Sequence, residues 1–418
     1  MTRTLRILLL PLVTLLALAG LQAPASAATQ WGYVATAGGT MIKTGSGLLI
    51  SSQTAQSGIT GTAVPNSSTQ SVATVAASGV LRTGAVETAA TAKAVLGGIE
   101  IKSWGRTAGV NVLNGLITAD AVTSNLTTVA RPDGTQTVTG GTQFVGIKIA
   151  GINLPINIPR NYTVTIPGIA TVTLNAYASG THGGASATQG WALGVALLKA
   201  QGDVPAGATI IVNPVYQSVV PATPSEALFS GHAYGSKVQA KVGDGVSAEV
   251  PETAMLRTPP GGSNGATLKS TTAGINVAGL ITLGAVESTS TSSTFGPNLL
   301  DADIRNTNQT ARVNVLGGLV TADAIKVTAH NRRVSNACSG DAAMTLVNLK
   351  VAGAAIPINV SPNTTIKVGD LATVIVNQQV RNGCSTLIRG VYITLLKPQG
   401  DLPVGAVIEV AKATTTIH

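Results

Sequence analysis

The feature that most constrains this chain is an internal duplication. The stretch VNVLNGLITADAV at 110–122 returns as VNVLGGLVTADAI at 313–325. KIAG at 148–151 returns as KVAG at 350–353, and PINI at 155–158 as PINV at 357–360. ATV at 170–172 returns at 372–374. LLK and QGD at 197–199 and 201–203 return at 395–397 and 399–401. GAVE at 84–87 aligns with 284–287. Order and spacing are both kept, which marks a repeated folding unit. The reading is two tandem domains, residues 28–220 and 228–418. A Pro-containing linker over 221–227 (Pro221-Ala222-Thr223-Pro224-Ser225 and onward) joins them loosely.

A shorter motif lies inside each copy. GVLRTGAV at 79–86 resembles GLITADAV at 115–122, and 279–286 and 318–325 have the same form. The sixth position is Gly84, Asp120, Gly284 and Asp323. Gly and Asp both tolerate a bend, so a kink is expected there between two strands.

Composition sets the fold class. Charged residues are 10% of the chain, and there are 48 glycines. The long side chains that clothe helices are scarce, while Thr and Val suit pleated strands. Val164-Thr165-Ile166 and Thr171-Val172-Thr173-Leu174 alternate polar and apolar around a Pro167-Gly168 turn. Ile366-Lys367-Val368 and Val374-Ile375-Val376 do so around Gly369-Asp370. The expected architecture is all-β: two tandem β-sandwiches of jelly-roll or Greek-key type after a cleaved signal peptide.

Residues 1–27 carry that signal. Arg3 and Arg6 precede an apolar run from Ile7 to Leu21, and Ala25-Ser26-Ala27 forms a small-residue cleavage site. The run is short for a membrane span, and no second segment is apolar enough to cross a bilayer. A secreted, extracellular location follows, with cell-wall association the variant of it. The net charge of +9 becomes +7 when Arg3 and Arg6 leave (9 − 2). Without a dense basic stripe or interleaved aromatics, nucleic-acid binding is not expected. Export favours a disulfide between the two cysteines, Cys338 and Cys384.

The N-V-L-x-G-L-[IV]-T-A-D-A stretch, with the Pro-x-Asn turn and A-T-V strand that follow, resembles the choice-of-anchor P family of actinobacterial exported proteins. The resemblance covers nearly the whole mature chain, counted as two copies. It implies a surface-associated exported protein. It brings no catalytic residues.

Candidate chemistry is sparse. Asp120 with Asp323, Glu87 with Glu287, and Asp203 with Asp401 match between copies, but turn geometry accounts for the first pair and loops for the last. Asp301-Ala302-Asp303 is the nearest approach to a calcium motif and has no counterpart in the first copy. His182, His232, His330 and His418 match nothing across the repeat, lack metal-type spacing, and read as exposed. Gly261-Gly262-Ser263-Asn264-Gly265 fits the nucleophile-elbow pattern but lies in a loop after Pro259-Pro260. Lys148, Asn111 and Glu87, with Lys350, Asn314 and Glu287, carry the residue types of an isopeptide crosslink, although a lysine alternating onto an exposed face explains the first of each set. Trp104 and Trp191 are the candidate sugar platform. No catalytic, metal or cofactor residues are assigned. The expected function is a non-enzymatic structural or adhesive protein at or outside the cell envelope, with wall polymers or further copies of itself as partners. The alternative is an extracellular glycan- or wall-polymer-binding module, and third a secreted hydrolase.

Overall fold

The computed structural model describes residues 30–418, apart from 45–48, 52, 78, 183–184, 203, 223–225, 243–244, 251, 278, 297–298 and 401. The expected signal peptide, Asp203, Asp401, Asp244 and the middle of the expected linker lie outside the described residues. The protein is all-β. Among the described residues the single helical element is a 3-10 turn at Leu316–Gly318.

Sixteen long strands carry the fold. In the first half they are β1 (Gln30–Ala37), β2 (Val86–Val95), β3 (Gly98–Val112), β4 (Ile117–Ala130), β5 (Gln136–Val145), β6 (Ala170–His182), β7 (Ala185–Leu197) and β8 (Thr209–Ala222). In the second half they are β9 (Phe229–Val242), β10 (Val286–Phe295), β11 (Asp301–Val315), β12 (Val320–Val334), β13 (Ala337–Val347), β14 (Ala372–Asn382), β15 (Ser385–Leu395) and β16 (Val407–Ile417). One sheet of the first half runs β2-β3-β4-β5 and the other β6-β7-β8-β1, all antiparallel. The second half pairs in the same order: β10-β11-β12-β13 and β14-β15-β16-β9. The β2-β3-β4-β5 and β10-β11-β12-β13 sheets are meanders, while in each partner sheet the first strand of the half returns beside the last. Three hairpin-linked strands flanked by one that arrives through a long connection is the Greek-key arrangement expected from the sequence, here β6-β7-β8-β1 and β14-β15-β16-β9.

The matched motifs make those turns. Leu113, Asn114 and Gly115 all have positive φ (54°, 52°, 91°), as do Leu316, Gly317 and Gly318 (51°, 61°, 101°). Asn and Gly at the later positions bear this with least strain. Asn111 Oδ1 accepts from the Gly115 amide at 2.8 Å and braces the first turn. The expected kink is present as well. The β3–β4 ladder skips Asp120, and the β11–β12 ladder skips Asp323. The left-handed residue, however, is on the partner strand: Gly109 (φ 57°) and Arg312 (φ 48°).

Strand alternation buries one face of each sheet. One end of each sandwich is apolar: Ile117, Val122, Ile149, Val172, Val195 and Ile210 in the first half, and Val320, Ile325, Val351, Val374, Ile393 and Ile408 in the second. Towards the other end, buried amides bridge the sheets. Asn213 Nδ2 on β8 donates to Val122 O on β4 at 2.8 Å, and Thr107 Oγ1 donates to Asn213 Oδ1 at 2.6 Å. Gln217 Nε2 donates to Leu126 O at 2.9 Å. In the second half Asn331 Nδ2 on β12 donates to Thr415 O and Cys384 O, and Asn306 Nδ2 donates to Thr414 O.

The halves touch. Thr40–Lys43 pairs with β8 and with Leu49–Ser51, and Leu49 meets Thr272 of the second half in parallel. A Cβ on Gly32 would press on Leu228 and Pro260. Pro221 and Ala222, read as linker, extend β8 against β1. Ala227 is buried with Phe229 and Ile304. The loose connection expected from the sequence is therefore replaced by a packed junction.

Cys338, on edge strand β13, is disulfide-bonded to Cys384 in the β14–β15 hairpin, with Cα atoms 5.2 Å apart. The bond staples the two sheets of the second half. It closes a separation of 46 residues, for which loop-closure entropy gives about 4 kcal/mol. Reduction, or Cys338→Ser with Cys384→Ser, is expected to lower unfolding free energy by about that amount; urea titration with and without reductant checks it, and an unchanged midpoint would refute it.

Candidate functional site at the junction of the halves

Among the described residues, a dense gathering of ionisable side chains lies on the face of the β9-β16-β15 sheet that looks towards the first half. Strand β9 supplies His232, Tyr234 and Lys237. Strand β16 supplies Glu409 and Lys412, β15 supplies Arg389, and the segment after β9 supplies Glu252 and Arg257. Cross-strand register sets them side by side: Tyr234 faces Lys412, Lys237 faces Glu409, and Arg389 faces Lys412. Gln56, Ser68 and Gln70 of the first half close over them, leaving a cavity of about 190 Å³.

Glu409 is the hub. The Tyr234 hydroxyl donates to its Oε2 and the Arg389 guanidinium to its Oε1, and Lys412 Nζ stands 3.7 Å away. Arg389 also donates to Gln378 Oε1 at 2.7 Å. Lys237 pairs with Glu252 at 2.9 Å. His232 stacks on Tyr234 with centroids 5.7 Å apart, and its Nδ1 is 3.2 Å from Thr414 Oγ1.

Burial and neighbouring charge set the protonation states. Burial raises Glu409, but Lys412, Arg389 and the Tyr234 hydroxyl together outweigh it and hold the carboxyl below its usual range. Burial, then the Glu409 and Glu252 charges, push the Tyr234 phenol well up, so it stays a neutral donor. Burial and the cations Lys412, Arg257, Lys237 and Arg389 push His232 well down, so it is neutral. Burial likewise lowers Lys412 and Arg257, against the pull of nearby Glu409 and Glu252 respectively.

The residues singled out in the sequence fall elsewhere. Trp104 is 36% exposed on the outward face of β3, between Lys102 and Arg106. Trp191 is on β7 of the opposite sheet, where its indole lies over Gly194. The fold does not bring the two into one platform. Asp303 and Asp341 flank His330, at 3.0 Å from Nε2 and 2.7 Å from Nδ1. Asp301 accepts from the Ser335 amide at 2.8 Å. These carboxylates are cross-strand partners, and no group of three or more His, Cys, Asp or Glu among the described residues is arranged to hold a metal ion. Ser263 is buried and its hydroxyl donates to Ala266 O at 2.6 Å, tying a loop. Glu287 pairs with Lys269, while Glu87 stands opposite Arg106, further along β3 from Asn111; neither set of crosslink residues assembles. Asp323 accepts from the Asn348 amide. The histidines are not simply exposed: His232, His330 and His418 are each half-buried, and His418 bridges Ser230 and Thr62 of opposite halves.

The junction cluster escaped the search for matched residues because it occupies positions where the repeat diverges. Arg389, Glu409 and Lys412 stand where the first half has Trp191, Ile211 and Pro214. A search for charge gained at apolar positions of the other copy would have found it.

Comparison with known proteins yields no matching family model, no similar curated protein and no similar solved structure.

The cluster should make the protein acid-sensitive. His232 is neutral in the fold but takes up a proton when unfolded, so stability falls as pH drops below about 6.5. Glu409 contributes stability above its unfolded value that is lost as pH falls through its lowered folded value. Thermal melts from pH 7 to 3.5 should show this decline. Glu409→Gln should cost about 3 kcal/mol at pH 7, by stranding Arg389, and flatten the acid limb. A parallel curve for the variant would exclude Glu409 as the source.

Proposed function

We propose that the chain is an exported, non-enzymatic structural or adhesive protein, built from two tandem copies of one β-sandwich domain behind a cleaved signal peptide, acting at or outside the cell envelope. One observation carries this reading. Large aliphatic side chains stand exposed at matching places in both halves: Ile156 and Ile358 (76% and 72%), Val145 and Val347 (57% and 43%), and Leu198 and Leu396 (54% and 45%). Single exposed apolar residues are ordinary, but the same set kept twice supports a contact surface. The inter-sheet disulfide fits an oxidising, extracellular setting. The resemblance to the choice-of-anchor P family points to the same place. The partners in this reading are other copies of the chain or wall polymers.

Fractionation of a culture producing the protein tests the proposal. Wall-bound or polymeric material is expected, and the double variant Ile156→Ser, Ile358→Ser should shift it at least severalfold towards soluble monomer while circular dichroism stays unchanged. Wild-type protein found wholly as monomer in the medium would overturn the reading.

A second reading, binding of an acidic extracellular glycan or wall polymer, is favoured by one feature: Lys102, Trp104 and Arg106 share the outward face of β3. An aromatic plane between two cations suits an anionic sugar. In a glycan array, Trp104→Ala should abolish such binding and Trp191→Ala should leave it intact; equal loss in both would refute a site on β3.

A further inference from the structure

We infer that the cavity at the junction is an oxyanion-binding site, taking a carboxylate or phosphate group with Arg257 as its principal donor. This stands independently of the adhesive reading. Strand Leu256–Arg257 pairs with His232 and Ala233 of β9, which carries the Arg257 side chain across to the first half. There the guanidinium lies against the backbone of Gly58, where a Cβ would collide with Nη2.

The charges around it do not balance. Lys237 is paired with Glu252, and Arg389 with Glu409. Lys412 shares Glu409 at longer range. Arg257 has no ion pair among the described residues, and its buried Nε meets no hydrogen-bond acceptor among them. Four cations (Lys237, Arg257, Arg389, Lys412) against two carboxylates (Glu252, Glu409) leave 4 − 2 = +2 around the cavity. A buried guanidinium is costly unless an anion compensates it, and its planar fork fits two oxygens of one carboxylate or phosphate. Gln56 and Gln70 line the same cavity, and their buried Oε1 atoms are also without partners among the described residues. Each amide can turn to offer N–H to an anion, or keep its oxygen for a ligand hydroxyl. The volume of about 190 Å³ exceeds the roughly 30 Å³ share of one water several times over, so a small hydroxylated acid or a phosphate fits.

The test is a thermal shift with titration calorimetry on the purified protein, using inorganic phosphate and acetate in separate arms, each against chloride at matched ionic strength. At least one of the two should raise the melting temperature beyond chloride, and the stronger arm identifies the preferred group. Arg257→Gln should weaken binding at least tenfold. Gln70→Glu, nearly isosteric, places a carboxylate in the cavity; it should raise the melting temperature without added anion and abolish the response. No anion-specific shift in the wild type would overturn the assignment, and so would an undiminished response in Arg257→Gln. If Arg257→Gln does not fold, Gln70→Glu decides: a retained response overturns the site.

Discussion

Each half depends on amide side chains driven through the sandwich from one sheet into the backbone of the other. Apolar burial holds one end of the sandwich and is indifferent to register. The amides are not. Asn213 and Gln217 bond specific carbonyls of β4, and Asn331 and Asn306 bond specific carbonyls of β16 or the hairpin before β15. They fit because glycine lets the sheets approach: Gly105 faces Asn213, and a Cβ on Gly231 would collide with Asn306 Nδ2. Loss of such an amide strands buried backbone carbonyls, each costing roughly 1–3 kcal/mol. The amides thus fix how the sheets are aligned, and the disulfide and the junction cluster are built on that alignment.

The junction uses polarity differently. Glu409 collects a phenol, a guanidinium and an ammonium in a space mostly closed to water. Such a group contributes little net stability relative to apolar packing, yet removing any one partner is severe. Its value is geometric. It sets strand faces of the second half against Gln56, Gly58, Ser68 and Gln70.

Much of the fold was legible because turns and strand alternation are local. Asn114-Gly115 and Gly317-Gly318 announce backbone that only such residues adopt easily, and Thr/Val alternation announces half-buried strands. The cysteine pairing was expected from the even cysteine count and the leader-like pattern at the N-terminus. The kink was anticipated at Asp120 and Asp323, but the left-handed residue is Gly109 or Arg312 across the ladder, since either strand of a pair can absorb the irregularity. The return of β1 beside β8 and of β9 beside β16, and the placing of Trp104 and Trp191 on opposite sheets, depend on long-range pairing that no local pattern encodes. The junction cluster was invisible to a comparison of matched residues, because Arg389, Glu409 and Lys412 belong to what the second half does not share with the first.

In the extracellular setting proposed above, the covalent bond between Cys338 and Cys384 has a consequence for attack by proteases. The stretch it encloses contains Lys350, Lys367 and Arg381, all exposed and all at or near strand ends, where trypsin finds basic side chains to cut after. A tryptic cut after any of them opens the chain but releases nothing, because the bond bypasses the break. The nicked molecule keeps both sheets of its second half together and separates into fragments only when reduced.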